Sequence, residues 1–173
     1  YKNHSSKLEL FNDVVQNAIS SGHRILVFSQ FTSMLNILAD SLKKSKIDYF
    51  MLTGSTANKD RLNMANNFND GEKEVFLISL KAGGVGLNLT EADYVYIVDP
   101  WWNPAVEQQA IDRTHRIGQK NKIFAYKMIC KDSVEEKIIT LQEKKLSISK
   151  EIVQEDTAFF KSLSKDDISF LFS

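Results

Sequence analysis

The residues best suited to chemistry lie in the stretch Gln109-Ala-Ile-Asp-Arg113-Thr-His-Arg116-Ile-Gly-Gln119. At about 100° per residue, Gln109, Arg113 and Arg116 project within roughly 60° of one another on a helix. Two guanidinium groups and an amide on one face suit an anion with geminal oxygens, such as a triphosphate. The bland alternative is a solvated face on which Asp112 pairs with Arg116 at i,i+4. A second cluster is Ser79-Leu-Lys81-Ala-Gly83-Gly84-Val-Gly86-Leu-Asn88-Leu. Its glycines let the backbone approach a ligand and present N–H groups to phosphate oxygens; alone, the segment reads equally well as a tight turn. In Asp99-Pro-Trp101-Trp102-Asn103-Pro104, adjacent tryptophans cannot both face one core. Either one of them anchors a partner at a surface, or both are packing residues that straddle the loop. Leu52-Thr-Gly54-Ser55, followed by Arg61, is a weaker phosphate-holding turn.

Other chemistries find no support. Gly-x4-Gly-Lys-Ser/Thr is absent, and Gly84-Val-Gly86 lacks the third glycine of a dinucleotide fingerprint. No Gly-x-Ser-x-Gly elbow or credible carboxylate pair argues for a self-sufficient hydrolase. His4, His23 and His115 are too scattered for a metal site. Cys130 has no partner cysteine, so a reduced intracellular compartment fits best. Lys and Arg number 22 against 22 Asp and Glu, an unusual balance for a free-standing nucleic-acid binder. No apolar run approaches the roughly 18 residues of a membrane span. The chain opens on Tyr1 without a signal-peptide pattern and reads as part of something longer.

Positioning these residues falls to alternating short apolar runs and longer amphipathic stretches. Residues 6–21 place Leu8, Phe11, Val15 and Ala18 on one helical face, and Gly22 stops the helix. Strands are expected at Ile25–Ser29, Tyr49–Leu52, Val75–Ser79, Tyr94–Val98 and Ile123–Ile129. Between them come a helix ending near Lys46, one capped by Asn58 and leaving at Asp70-Gly71, and one capped by Asn103 that opens at Pro104. A long helix is expected over 134–153. Near-continuous apolar strands separated by helices specify an α/β fold with a mainly parallel sheet covered on both faces. Such sheets bind ligands outside their carboxyl ends, where Ser29, Gly54, residues 79–88 and residues 99–104 fall. The 173 residues and 43% apolar content suit one domain. An apolar tail, 154–173, carries Phe159, Phe160, Leu163, Ile168, Phe170, Leu171 and Phe172. It is expected to dock on the lobe or on a missing partner.

In order, these blocks resemble the C-terminal RecA-like lobe of the Swi/Snf branch of superfamily-two helicase-like ATPases. The likeness runs over residues 6–153. Ile25-Leu-Val-Phe-Ser-Gln-Phe31 resembles the family's motif IV, and residues 52–55 with Arg61 and Phe68 the segment after it. Residues 78–92 resemble motif V, and residues 109–119, in their Asp-Arg-x-His-Arg-Ile-Gly-Gln form, motif VI. Trp101-Trp102-Asn103-Pro104 is typical of this branch, and Ser133-Val-Glu-Glu-Lys-Ile resembles the start of a brace helix (133–153) crossing toward the first lobe. The resemblance implies a three-layer α/β/α lobe within an ATP-dependent translocase of double-stranded DNA. Arg113 and Arg116 would be arginine fingers for ATP and Mg2+ held mainly by an N-terminal lobe, with Gln109 orienting that pair or the attacking water. Gly84, Gly86 and Asn88 would border the nucleotide. Ser29, Gly54, Ser55, Ser79 and Lys81 would hold the DNA backbone, with Trp101 and Trp102 beside them. Rival readings are the C-terminal lobe of an RNA helicase and a non-catalytic α/β interaction module. The isolated chain is expected to be inactive and monomeric, and the compartment to be cytoplasm or nucleoid in a prokaryote and nucleus in a eukaryote.

Zero net charge makes a prediction for the chain by itself. In a salt titration it should bind duplex DNA no tighter than about 1 μM near physiological salt. Nanomolar binding there would show a basic face that the overall balance conceals.

Overall fold

The computed structural model describes residues 5–83, 87–112, 122–148 and 163–172. The strands are β1 (Ile25–Ser29), β2 (Tyr49–Leu52), β3 (Val75–Ser79), β4 (Tyr94–Ile97) and β5 (Phe124–Lys127). The helices are α1 (Ser6–Ser20), α2 (Thr32–Lys44), α3 (Asn58–Asn69), the short α4 (Leu80–Gly83), α5 (Pro104–Asp112), α6 (Val134–Ile148) and α7 (Lys165–Phe172). The strands form one sheet in the order β2-β3-β1-β4-β5, and every pairing is parallel. The expected α/β architecture is therefore present, with strand ends within two residues of expectation. Val98 lies beyond β4 yet still donates its N–H to Phe28 O.

Two apolar layers follow from the two-residue period of the strands. Leu26, Phe28, Phe76, Ile78, Val95 and Ile97 face Ala65 and Phe68 of α3, with Val106 and Ile111 of α5 packed alongside. Ile25, Val27, Val75, Leu77, Tyr96 and Val98 face Phe11, Val15 and Ala18 of α1 and Leu35, Leu38 and Leu42 of α2. β1 and β3 are buried throughout, as central strands should be. β5 departs from the expected buried run: all four residues are exposed. It lies at the sheet edge, where Tyr126 stacks on Tyr94 and Tyr96 beside α1.

α1, α2 and α3 end in the same way. The residue after the C-cap turns to positive φ, and its N–H and the next close back on the last turn: Gly22 and His23 on Ile19 and Ala18, Lys46 and Ile47 on Lys43 and Leu42, Gly71 and Glu72 on Phe68 and Asn67. These are Schellman caps, and at two of the three the residue is glycine. Asn58 is the first residue of α3 rather than its cap. The cap position is Ala57, which has no side-chain acceptor. The start of α3 is held instead by Arg61, which reaches back to the preceding turn.

Lys46 at φ 57 is exposed and left-handed, a conformation that costs a side chain about 1–2 kcal/mol. Lys46→Gly should raise stability toward unfolding by about 0.5–1 kcal/mol once the entropy gained by the unfolded chain is deducted. Chemical denaturation with an unchanged m-value checks it; a loss of stability would contradict the strained cap.

Candidate functional site

The carboxyl edge is held together by one buried carboxylate. Asp99 follows β4, and burial raises its pKa above the ordinary 3.8 because charge is disfavoured there. The Ser29 hydroxyl at 2.6 Å and the Gln30 N–H at 2.8 Å both donate to it and pull the other way. Lys7 also favours the charged form, and Glu135 opposes it. Lys7 Nζ in turn donates to Val98 O at 2.8 Å and pairs with Glu135 of α6 at 2.6 Å. The end of β4, the turn after β1, the start of α1 and the start of α6 are thus bonded into one corner.

Beside that corner, Asn103 caps α5 by accepting the Ala105 N–H at 3.0 Å, as expected. Ser79 Oγ accepts the Ala82 N–H at 3.3 Å and so caps α4. Leu80 and Ala82 share a core with Val106 and Ile111, and α4 and α5 are in contact. The glycine segment and the helix carrying Gln109 therefore begin side by side on the same face of the sheet. Gln109 lies on α5 by its backbone; its side chain, like Gly84, Gly86, Arg113 and Arg116, lies outside the described residues. Asp112 accepts from Gln108 at 2.8 Å. Asn88 is exposed, and its carbonyl is held by Asn69 Nδ2 at 2.8 Å.

The Helicase conserved C-terminal domain model matches residues 6–118. The chain belongs to that family. It is 39% identical over 169 residues to an uncharacterized ATP-dependent helicase of Mycoplasma pneumoniae, covering 97% of this chain and 16% of the relative. It is 37% identical over 166 residues to the ISWI chromatin-remodeling complex ATPase ISW1 of Saccharomyces cerevisiae, covering 94% of this chain and 15% of the relative. The crystal structure of the C-terminal part of the Fun30 ATPase domain superposes with a TM-score of 0.81 at 31% identity, over 98% of this chain and 52% of that one. The likeness to the C-terminal lobe of Swi/Snf-type ATPases, and the RecA-like fold it implied, are borne out. The chain spans about one sixth of the length of these curated relatives.

Within this helicase C lobe, several residues expected to touch DNA serve the lobe instead. Ser29 is fully buried; its hydroxyl donates to Asp99 and accepts the Phe31 N–H at 3.0 Å, which leaves it nothing to offer a phosphate. Ser79 is buried as a helix cap. Trp101 packs against the main core, while Trp102 packs against Ile138 and Leu141 of α6 and Leu171 of α7. The two rings face different cores, and both tryptophans are only partly buried. Gly54, Ser55 and Lys81 remain exposed. Arg61 Nε and Nη2 hold the Thr56 and Gly54 carbonyls at 2.7 and 3.1 Å, and Thr53 Oγ1 and Ser55 Oγ lie 2.9 Å apart. This stiffens the turn while leaving it open to a ligand. Nothing lies within 4 Å of where a Gly54 Cβ would stand, so the lobe itself does not demand glycine there.

Among the described residues of the apolar tail, Asp167 and Leu171 are buried, and Leu171 packs with Ile138 and Leu141 of α6; residues 154–162 lie outside the described residues. A cavity of about 470 Å3 lies on the α1 face of β4 and β5, lined by Leu10, Val14, Tyr94, Tyr96 and Tyr126 among others. It lies on the sheet face packed by α1 and α2, opposite the face packed by α3 and α5, and the motif edge is the better candidate site. Sequence reasoning missed Glu107, Lys127 and Gln142, and it singled out residues 99–104 without giving Asp99 a role. Only Asp99 gave a signal, as a carboxylate closing an apolar strand.

The raised Asp99 pKa has a definite sign. A carboxyl whose folded pKa lies above its unfolded value stabilises below the unfolded value and loses that contribution as pH rises through the folded one. Asp99→Asn can accept the Gln30 N–H at Oδ1 and donate from Nδ2 to the Ser29 hydroxyl, which can turn to the Phe31 carbonyl. Without the charge, its stability relative to the parent should therefore increase as pH rises from about 4 to 7. Denaturation at both pH values checks it; a gap moving the other way would show that Lys7 and the two donors outweigh burial.

Proposed function

We propose that this lobe is the second motor lobe of an ATP-driven translocase of double-stranded DNA. The observation that supports it is the adjacency of α4, which ends at Gly83, and α5, which ends at Asp112, at the carboxyl edge; Gly84 and Arg113 are the next residues in sequence. An ATP-binding motif is missing from the sequence, while the helicase and remodelling ATPase relatives are named for ATP-dependent work. Half of a shared site reconciles the two.

In this reading a first lobe holds most of the ATP and its Mg2+, which neutralises phosphate charge when bound. Among the described residues no group of three or more side chains that could hold a metal ion is assembled. Arg113 and Arg116 face the γ-phosphoryl across the cleft and stabilise its charge in the transition state. Gln109 orients that pair or the attacking water, and Gly84, Gly86 and Asn88 border the nucleotide. Gly54, Ser55 and Lys81 contact the sugar-phosphate backbone, which positions a protein without reading sequence. Ser29 and Ser79 act beneath them as holders of the turns. Lobe closure on ATP and reopening after hydrolysis move the duplex.

In the intact protein, Arg113→Ala and Arg116→Ala should each lower duplex-stimulated ATP turnover by about 10³–10⁵-fold. Unchanged turnover would leave a non-catalytic interaction module as the better reading. Stimulation by single-stranded RNA but not by duplex DNA would reassign the lobe to an RNA helicase.

A further inference from the structure

A closed ring of polar contacts lies under the tryptophan loop, and the side chains that form it have no role assigned above. Glu107 of α5 accepts the Trp101 N–H at 2.6 Å. Its other oxygen lies 2.5 Å from Lys127 Nζ of β5, an ion pair without the angular geometry of a hydrogen bond. Lys127 donates to Gln142 Oε1 of α6 at 3.3 Å. The Gln142 amide donates to the Trp101 carbonyl and closes the ring. Glu107 is 1% exposed and Gln142 2%, so neither has water to fall back on.

The ring joins four pieces of chain: both polar groups of the Trp101 peptide, the first turns of α5, the end of β5 and the middle of α6. One turn and less before Gln142, Ile138 and Leu141 take the Trp102 side chain. Each tryptophan is therefore fastened to α6, one through its peptide and the other through its ring. The pitch of α5 cannot change without disturbing α6. Arg113 follows the last residue of α5 in sequence, and a small rotation at Glu107 carries the end of α5 at Asp112 with it.

We propose that Glu107, Lys127 and Gln142 are positioning residues for the reaction, a joint that fixes the heading of α5 from α6 and so sets where the arginine pair arrives. This rests on the motor-lobe reading. A misplacement of about 1 Å can cost about a hundredfold in rate without touching ground-state binding. The signature is a lowered kcat at unchanged KM once turnover is expressed per functional site, because loss of folded protein lowers the apparent kcat in the same way.

The test uses the intact protein with duplex DNA, with turnover expressed per nucleotide-binding site. Gln142→Leu removes both of its ring contacts without burying a new charge. It should lower kcat about 10–100-fold with KM for ATP within about twofold. Lys127→Met, at a side chain 35% exposed, should show the same split and serves if Gln142→Leu does not fold. A parent-like kcat in either folded variant, or a raised KM with unchanged kcat, overturns the joint. Arg113→Ala measured in parallel separates the two ideas. If it abolishes turnover while the ring variants are parent-like, the joint alone fails. If it too is parent-like, the motor-lobe reading fails and takes the joint with it.

Discussion

Every strand in the sheet runs the same way, and the rest of the molecule depends on that. Parallel pairing sends each chain end out at one edge and forces each return through a crossover packed on a face. The turns after β1, β2, β3 and β4 therefore open together, although Ser29 and Asp99 are 70 residues apart in sequence. A ligand that meets this edge meets several loops at once. In the proposed reading, this is how a lobe with no complete phosphate-binding motif supplies half of a nucleotide site.

Bringing turns together is not enough to hold them, and the lobe uses buried polar groups for that work. Asp99 ties β4 to the turn after β1, Lys7 and Glu135 tie α1 to α6, and Glu107, Lys127 and Gln142 lock the loop that starts α5. Such groups contribute little net stability when complete, yet removing one partner of a buried ion pair costs about 3–5 kcal/mol. For Lys127, a third exposed, the cost falls toward the lower end. What these contacts provide is direction. Apolar packing on Leu26 or Phe76 tolerates small rotations; a carboxylate held by two donors does not.

The sheet and its helices were legible in the sequence because period-two and 3.6-residue patterns report burial directly. Ile25–Ser29 and Val75–Ser79 are continuous apolar runs and became central strands. Phe124–Lys127 reads as apolar too, but propensity does not show which strand takes the edge, and this one is exposed. The site was legible as a set of motifs and not as a set of roles. Ser29, Ser79, Trp101 and Trp102 stand where a binding residue would stand, and only the fold shows that hydroxyls and rings turn inward to Asp99, Ala82 and two separate cores. Glu107, Lys127 and Gln142 come from three distant elements, so no local pattern marks them.

The central claim is that this edge is half of an ATPase site. It is tested most directly by ATP turnover of this chain alone, and after mixing with the separately produced first lobe in the presence of duplex DNA. Half a site predicts no turnover alone, and turnover in the mixture that rises with the concentration of this chain and disappears when it carries Arg113→Ala. Turnover by the purified chain alone, abolished by that same substitution, would contradict it.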